Sequence, residues 1–247
     1  MAARKLQRRS TRDRERAFLV EGRVVIAELL ASELEVTDLF VASGSDTSDL
    51  VGKAEAAGVR VAEVPEAVIA LLADTRTPQG VVAVARVPGA SIPEDASLVV
   101  VLADVRDPGN AGTLVRTAYA AGADAIVFGS GAVDPFNAKT LRAASGAAFH
   151  VPVIRDVPLE SILDTLSRRG IRTIGTAAGA GRRYDEIDLT APVAFVLGNE
   201  AWGIPADLEA HLAESVSIPM PGPMESLNVA TAGAILLFEA VRQRTRV

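Results

Sequence analysis

The chain has 247 residues, of which 49% are hydrophobic, and this is enough apolar material for one large or two small globular domains. It contains no cysteine and only two histidines, so disulfides, thiolate metal sites, cysteine nucleophiles and histidine-rich metal sites are excluded. No apolar run approaches the roughly 20 residues of a membrane span or follows the basic N-terminus as in a signal peptide, so we expect a cytoplasmic protein.

The net charge of −6 is unevenly distributed along the chain. Residues 1–16 carry +5 and residues 242–247 carry +3, so the residues between them carry −14. Basic ends on an acidic body suit a protein that contacts phosphate at a restricted surface, because each Lys or Arg contact with phosphate releases counterions. Charge alone is equally compatible with a solvated, partly disordered tail.

The N-terminal part of the chain has the pattern of a small α/β unit. Short apolar runs predict strands at 18–20, 36–42, 59–62 and 81–85, and helical periodicity predicts helices at 22–30, 46–57 and 65–72. Residues 86–95 are rich in Pro, Gly and Ser, which is typical of a linker. We therefore expect two domains, residues 1–90 and residues 97–247.

The second domain opens with residues 98–103, a continuous apolar run of the kind found in a parallel strand buried on both faces. Further strands are predicted at 125–128, 171–176, 193–197 and 216–218, and helices at 112–121, 137–144, 159–168, 206–212 and 229–241. Strands that alternate with helices at this spacing predict a mostly parallel sheet covered on both faces.

Ligands of open α/β sheets bind at the carboxyl ends of the strands, so the loops that follow strands are the candidate sites. The first unusual loop leads into residues 107–118, DPGNAGTLVRTA, with Asn110 near the start of a helix. Val115, Ala118 and Tyr119 form the predicted inward stripe of that helix, and Arg116 is set off from it by about 100°. Such an arginine could hold a phosphate or be an ordinary surface residue.

The second and third loops combine glycine, proline and polar residues. Residues 197–205 read LGNEAWGIP, in which Gly198 would let a ligand approach the backbone and Glu200 offers a carboxylate. Trp202 is the only tryptophan, and we expect it to pack rather than to stack on a base. Residues 217–228 read SIPMPGPMESLN, a loop shaped by its prolines, and either Ser226 or Asn228 is expected to cap the helix that follows.

Rival motifs are absent from the sequence. It contains neither a P-loop nor a G-x-S-x-G nucleophile elbow. The glycines of residues 175–181 follow a strand, but charged residues come next where a dinucleotide fold needs an apolar helix. A nicotinamide cofactor is therefore not expected.

The three loops together resemble the signature motifs of the SpoU/TrmH family of RNA ribose methyltransferases, which belongs to the knotted SPOUT superfamily. The matching runs are DPGN through RTA at 107–118, LGNE at 197–200, and IPM at 218–220 with ESLNV at 225–229. FLVEG at 18–22 and TPQG at 77–80 are similar to the family's substrate-binding domain, including that of thiostrepton-resistance enzymes. The implied fold is α/β, a C-terminal trefoil-knotted parallel-sheet (SPOUT) domain preceded by a small α/β substrate-binding domain, and the implied assembly is a homodimer.

The resemblance implies methyl transfer from S-adenosylmethionine to a ribose 2′-hydroxyl of structured RNA, with 23S rRNA expected as the target and no metal required. The implied catalytic residues are Arg116, Asn110, Glu200, Ser226 and Asn228. The implied cofactor-binding residues are Thr176, Leu197, Gly198, Ile218 and Leu227. Arginine is normally always protonated, so Arg116 is either a general base that receives help or a group that only orients the hydroxyl. Arg106 is an additional cation without an assigned role.

Three alternatives stay open on the sequence. They are a tRNA 2′-O-methyltransferase, a catalytically silent RNA-binding protein, and a base methyltransferase of the same superfamily. The presence of Arg116, Glu200 and Asn228 argues against the silent protein. The absence of cysteine argues against carbon-5 methylation of a pyrimidine, which usually proceeds through a cysteine adduct.

Overall fold

The computed structural model describes residues 3–177, 179–199 and 201–245. Contacts between Cα atoms divide it into two units, Met1–Gly89 with Phe136–His150 and Ala90–Pro135 with Val151–Val247. The first boundary falls inside the linker expected at residues 86–95. The second unit differs from the expected continuous domain of residues 97–247, because a fifteen-residue insertion of that range packs with the first unit.

The described helices and strands are numbered here in chain order. They are α1 (Arg9–Glu15), β1 (Ala17–Glu21), α2 (Arg23–Ala31), β2 (Val36–Ala42), α3 (Ser48–Ala56), β3 (Arg60–Val64), α4 (Glu66–Leu72), β4 (Val81–Arg86), β5 (Leu98–Leu102), α5 (Pro108–Ala120), β6 (Ala125–Gly129), α6 (Ala138–Ala144), β7 (Val153–Val157), α7 (Leu159–Arg168), β8 (Arg172–Thr176), β9 (Arg182–Arg183), β10 (Val193–Leu197), α8 (Ala206–Glu209), β11 (Glu214–Ser217) and α9 (Val229–Arg244).

The first unit is built on a four-stranded sheet in the order β1-β4-β2-β3. β4 runs antiparallel to both β1 and β2, while β2 and β3 are parallel. The segment that contains α6 joins this unit through aromatic packing, since the rings of Phe136 and Phe149 lie 4.6 and 6.3 Å from that of Phe18. Arg142 of α6 adds ion pairs with Glu21 and Asp74. These contacts join residues at least 68 positions apart in the sequence, and no local sequence pattern predicts them.

The basic N-terminal residues are folded in this unit. A 3₁₀ turn at Ala3–Gln7 precedes α1, and Leu6 is buried. Arg12 is also buried, and its Nη1 donates to the carbonyl oxygens of Leu6 and Gln7 at 2.9 Å each. Arg12 therefore serves the fold and does not face phosphate, whereas Arg4, Lys5 and Arg8 are exposed.

The second unit is built on a seven-stranded sheet in the order β7-β6-β5-β10-β8-β11-β9, and all of its described pairs are parallel. Every residue of β5, β6 and β10 is buried, which confirms the prediction that residues 98–103 begin a central strand. This arrangement brings the carboxyl ends of β5, β8, β10 and β11 to one edge of the sheet.

Several elements differ from the sequence prediction, and α1 and β9 are two that it did not contain. β7 was missed because Arg155 and Asp156 interrupt its apolar run, which an edge strand tolerates because one side faces no neighbour. Helix α5 begins at Pro108, four residues early, because the Asp107 side chain caps it by accepting from the backbone N–H of Asn110 at 2.9 Å. Helix α8 ends at Glu209 and not at residue 212.

Two of the C-terminal arginines, Arg242 and Arg244, also serve the fold. Arg242 forms a bidentate pair with Glu239, and Arg244 donates to the carbonyl oxygens of Ser97, Leu189 and Ala191. They extend α9 beyond the predicted end at residue 241. Among the residues that the structure describes, no helix combines the length and apolar character needed to cross a membrane. The trefoil knot stays a prediction.

Candidate active site

A cavity of about 360 Å³ lies at the carboxyl ends of β8, β10 and β11. Four of the five predicted cofactor-binding residues line it, together with one predicted catalytic residue: Thr176, Gly198, Ile218, Leu227 and Ser226. The fifth, Leu197, is fully buried in β10 directly before Gly198. The cavity falls within the roughly 300–1,000 Å³ typical of small-molecule sites and combines apolar walls with a few polar groups.

One wall of the cavity contains Asn199, Ala201, Trp202 and Gly203, which follow β10. The backbone N–H of Asn199 donates to the carbonyl of Gly203 at 2.8 Å, and the N–H of Gly203 donates back at 2.9 Å. A Cβ added to Gly198 would lie 2.3 Å from the carbonyl carbon and oxygen of Gly203. The sequence assigned Gly198 to the approach of a ligand, but the structure shows that the close approach of Gly203 already requires glycine.

Asp104 ties this wall to the loop after β5. Its buried carboxylate accepts from Trp202 Nε1 at 3.0 Å and from Arg106 Nε at 2.8 Å, and its carbonyl accepts from Asn199 Nδ2 at 3.1 Å. The sequence analysis assigned Asp104 no role. The available signal was an acidic residue placed directly at the end of the central apolar strand.

Trp202, which we expected to pack rather than to stack on a base, does not lie in the protein interior. Its side chain is tethered through Nε1, yet the residue is 58% exposed and lines the cavity. Arg106 lies over the ring, with its guanidinium carbon 5.0 Å from the ring centroid, in a cation–π arrangement. The structure thereby gives Arg106 a position that the sequence left open.

The opposite wall comes from residues 218–227, which precede α9. Asn228 caps α9, because its Oδ1 accepts from the backbone N–H groups of Ala230 at 2.9 Å and Thr231 at 3.3 Å. Its Nδ2 donates to Asn110 Oδ1 at 2.9 Å. Of the two predicted caps, Asn228 is therefore the one used, and it also links the third loop to the first.

Arg116 lies apart from these residues on the exposed side of α5 and does not line the cavity. Within the described part of the chain, its guanidinium has no hydrogen-bond or ion-pair partner. The inward stripe of α5 consists of Ala111, Leu114, Val115 and Ala118, whereas Tyr119 is 46% exposed and does not belong to it as predicted. Glu200, another predicted catalytic residue, lies outside the described residues.

Comparisons with known proteins agree with this architecture. Residues 97–238 match the SpoU rRNA methylase family, and residues 1–83 match the MRM3-like substrate-binding domain. The chain therefore belongs to the SpoU rRNA methylase family. Its fold and family define an S-adenosylmethionine-dependent RNA (ribose-2′-O)-methyltransferase.

Individual relatives match most of the chain. The 23S rRNA (guanosine(2553)-2′-O)-methyltransferase RlmP of Bacillus subtilis is 38% identical over 95% of this chain and 92% of its own. The 23S rRNA (guanosine-2′-O-)-methyltransferase RlmB of Ralstonia nicotianae is 38% identical over 81% and 83%. The structure of the SpoU methyltransferase AviRb of Streptomyces viridochromogenes with AdoMet superimposes with a TM-score of 0.88 at 28% identity, covering 99% of this chain and 97% of that one.

Proposed function

We propose that this methyltransferase modifies a ribose 2′-hydroxyl of 23S rRNA in the cytoplasm. The observation that carries the target is the similarity to the Bacillus subtilis 23S rRNA enzyme, which extends through both units and not through the methylase family region alone. The cavity fits the cofactor, since its lining combines apolar side chains such as Ile218 and Leu227 with polar ones such as Thr176 and Ser226, which suits a molecule with a nucleoside and an amino-acid part. When bound, S-adenosylmethionine supplies an electrophilic methyl group.

We infer that the cofactor is held by Thr176, Gly198, Ile218 and Leu227. Leu197, which is buried at the end of β10, supports Gly198. Asn110, Ser226 and Asn228 then surround the acceptor side. Asn110 and Asn228 fix each other through their 2.9 Å hydrogen bond, so the first and third loops move together. Such preorganisation lowers the cost of aligning the ribose oxygen with the methyl group. Glu200 belongs to the same proposed set.

Arg116 is proposed to hold the phosphate beside the reactive ribose. A guanidinium stays protonated at neutral pH, so it is better suited to a bidentate contact with phosphate than to removal of the hydroxyl proton. Its exposure and the absence of a partner among the described residues leave it available for this contact. The hydroxyl proton passes to solvent or to the substrate phosphate as the carbon–oxygen bond forms.

A homodimer is proposed because Arg116 does not line the cavity of its own chain. Tyr119 of α5 is 46% exposed and Phe238 of α9 is 49% exposed, and exposed aromatic groups on two packed helices favour a protein interface. In a dimer, Arg116 would complete the cavity of the partner. A mixture of Arg116→Ala and Asn228→Ala proteins should then regain activity through heterodimers that keep one intact site. A monomer by light scattering that still methylates RNA would contradict this assembly.

The first unit is proposed to bind the RNA through its exposed basic residues. Neutralising Arg4, Lys5 and Arg8 with Gln should lower the slope of log K against log salt by about 2–3, since each lost phosphate contact removes roughly 0.7–0.9 from it. Lys53→Gln on α3 is the matched control, because it removes one exposed charge elsewhere in the same unit. An unchanged salt slope in the triple variant would remove this surface from the RNA interface.

The decisive experiment is mass mapping of rRNA and tRNA from a strain that lacks the protein, followed by methylation of the undermodified RNA in vitro. A 2′-O-methyl group protects the following phosphodiester from alkali, so the product should appear as an alkali-resistant dinucleotide from 23S rRNA. A methylated-base mononucleotide would favour the base methyltransferase. Loss of methylation from tRNA alone would show that the substrate is tRNA and not 23S rRNA. No loss in any RNA would favour the catalytically silent RNA-binding protein.

A further inference from the structure

The pair formed by Trp202 and Arg106, which we call the Trp–Arg platform, is not accounted for by cofactor binding alone. Trp202 is 58% exposed, the most exposed aromatic side chain among the described large hydrophobic residues. The side chain of Arg106 is 61% exposed. Holding an exposed indole ring and an exposed guanidinium in one conformation costs side-chain conformational entropy, because both lose rotamer freedom. A ligand that binds to them would offset this cost.

The platform is held in place by one buried carboxylate. Asp104 Oδ2 accepts from Trp202 Nε1 at 3.0 Å, and Asp104 Oδ1 accepts from Arg106 Nε at 2.8 Å. Since Asp104 is only 5% exposed, it anchors both groups from the interior while their planar surfaces remain outside. Within the described residues, the terminal amino groups of Arg106 have no hydrogen-bond acceptor.

The position of the platform is as informative as its composition. Trp202 lines the cofactor cavity and also a second cavity of about 360 Å³, to which Asp104, Arg106, Ser130 and Pro205 contribute. An RNA whose ribose reaches the cofactor must pass the rim of the first cavity. Arg106 precedes Asp107–Asn110 directly, so the platform stands beside the proposed acceptor residues.

We infer that the Trp–Arg platform stacks an unpaired nucleobase of the RNA close to the methylated nucleotide. This inference rests on the proposed function, in which the substrate is RNA. Aromatic rings and guanidinium planes are the groups on which proteins stack splayed bases, and the Arg106 charge complements the adjoining phosphate. Asp104 is a positioning residue that acts through Trp202 and Arg106. The second cavity offers space beside the platform for the base.

Because Trp202 is the only tryptophan, its fluorescence reports directly on stacking. The protein is saturated with S-adenosylhomocysteine, so that a change caused by cofactor is already complete, and is then titrated with a single-stranded RNA oligonucleotide. The expected result is saturable quenching by this RNA and little quenching by an abasic oligonucleotide of equal length and charge. Equal quenching by both, or quenching by neither at concentrations that bind RNA, would overturn the inference.

Substitutions separate stacking from a structural role. Trp202→Ala should raise the KM for RNA by about 5- to 150-fold, from the stacking energy of roughly 1–3 kcal/mol per base, while the Kd for S-adenosylmethionine changes far less. Trp202→Phe, which keeps a ring and loses the N–H, should recover most of the RNA affinity. Arg106→Lys keeps the charge and loses the plane, so it should raise KM by less than Trp202→Ala does.

The outcomes also distinguish this inference from the proposed function. If the wild-type protein methylates tRNA instead of 23S rRNA, the target is wrong, but the fluorescence titration still decides whether a base stacks. If the wild type methylates 23S rRNA while Trp202→Ala leaves KM unchanged, the target stands and the platform is not a base-binding site. If Trp202→Ala weakens cofactor and RNA binding equally, Trp202 is only part of the cavity wall.

Discussion

The two walls of the proposed cofactor cavity are built in opposite ways. The wall that contains Asn199, Trp202 and Gly203 is tied by two backbone hydrogen bonds between Asn199 and Gly203 and by two hydrogen bonds to Asp104, from Asn199 Nδ2 and Trp202 Nε1. Residues 218–227, which form the other wall, make no hydrogen bond to any residue that the structure describes. Most of their side chains are exposed. The shape of this second wall depends on three prolines that restrict φ.

This difference suggests a division of labour between the walls. A wall fixed by tertiary contacts can define the cavity before a ligand binds. A wall stiffened only by local backbone restriction can adjust its side chains around the ligand at small cost. Substitutions in the first wall should therefore affect cofactor binding more strongly than equivalent substitutions in the second.

The strongest test of the comparison is Gly198→Ala against Gly222→Ala. A Cβ at Gly198 meets the backbone of Gly203 at 2.3 Å, whereas a Cβ at Gly222 has nothing within 4 Å. We expect Gly198→Ala to weaken S-adenosylmethionine binding by about 5- to 150-fold, corresponding to the ~1–3 kcal/mol cost of overpacking, and Gly222→Ala to change it little. Calorimetry measures both, and a melting curve verifies that Gly198→Ala is folded. Equal affinities would show that the first wall is not fixed.

Substitutions of Asn228 test the hydrogen bond that links the end of the second wall to Asn110 in the first loop. Asn228→Ala removes the cap of α9 and should lower stability by about 0.5–2 kcal/mol. Asn228→Asp keeps the acceptor oxygen of the cap but loses the Nδ2 donor to Asn110. We therefore expect Asn228→Asp to melt near the wild-type temperature and yet to lose activity. Full activity of Asn228→Asp would remove the Asn110 contact from the mechanism.

The second wall should respond to changes in its local stiffness. Pro219→Ala and Pro221→Ala each increase the freedom of the unbound loop, which costs about 0.4–1 kcal/mol if that order is needed for binding. The Kd for S-adenosylmethionine should rise by about two- to fivefold per substitution, according to the conversion of 1.4 kcal/mol per factor of ten. Pro88→Ala in the linker is the matched control, with no expected change in Kd. An unchanged Kd in the loop variants would show that proline stiffness does not shape this wall.

The smallest expected effect is on the acid stability of α9. It shows whether α9 can be destabilised without a change in the cavity. Hydrogen bonding from Arg242 holds the pKa of Glu239 below its ordinary value of 4.5. The folded state thus binds the proton less readily than the unfolded state, so this stabilisation is present above about pH 4.5 and is lost as the pH falls through the folded pKa. Glu239→Gln should flatten the acid limb of the plot of Tm against pH and leave cofactor affinity at pH 7 unchanged. An acid limb identical to that of the wild type would contradict the role of this pair.

The sequence was sufficient to predict those elements that are determined by a few neighbouring residues. Residues 98–103 are apolar on both faces, so they required a central strand, and residues 36–42 formed the predicted strand without change. Asn228 and the proline-rich loop carried their own capping and turn chemistry. The predicted parallel sheet drew attention to the loops that carry Gly198 and Ile218, whereas Thr176 was named only through the family resemblance, and all three line the cavity.

The sequence by itself thus determined the α/β class, the order of the strands along the chain and the family motifs, because periodicity and turn chemistry act over a few residues. Only the tertiary structure decided that Phe136–His150 packs with the first unit, that Arg12 is buried, and that Trp202 is exposed. Each of these depends on a partner distant in sequence: Phe18 for the first, the Leu6 and Gln7 carbonyls for the second, Asp104 for the third. Long-range packing and buried hydrogen bonds select such partners, and a local pattern contains no record of them.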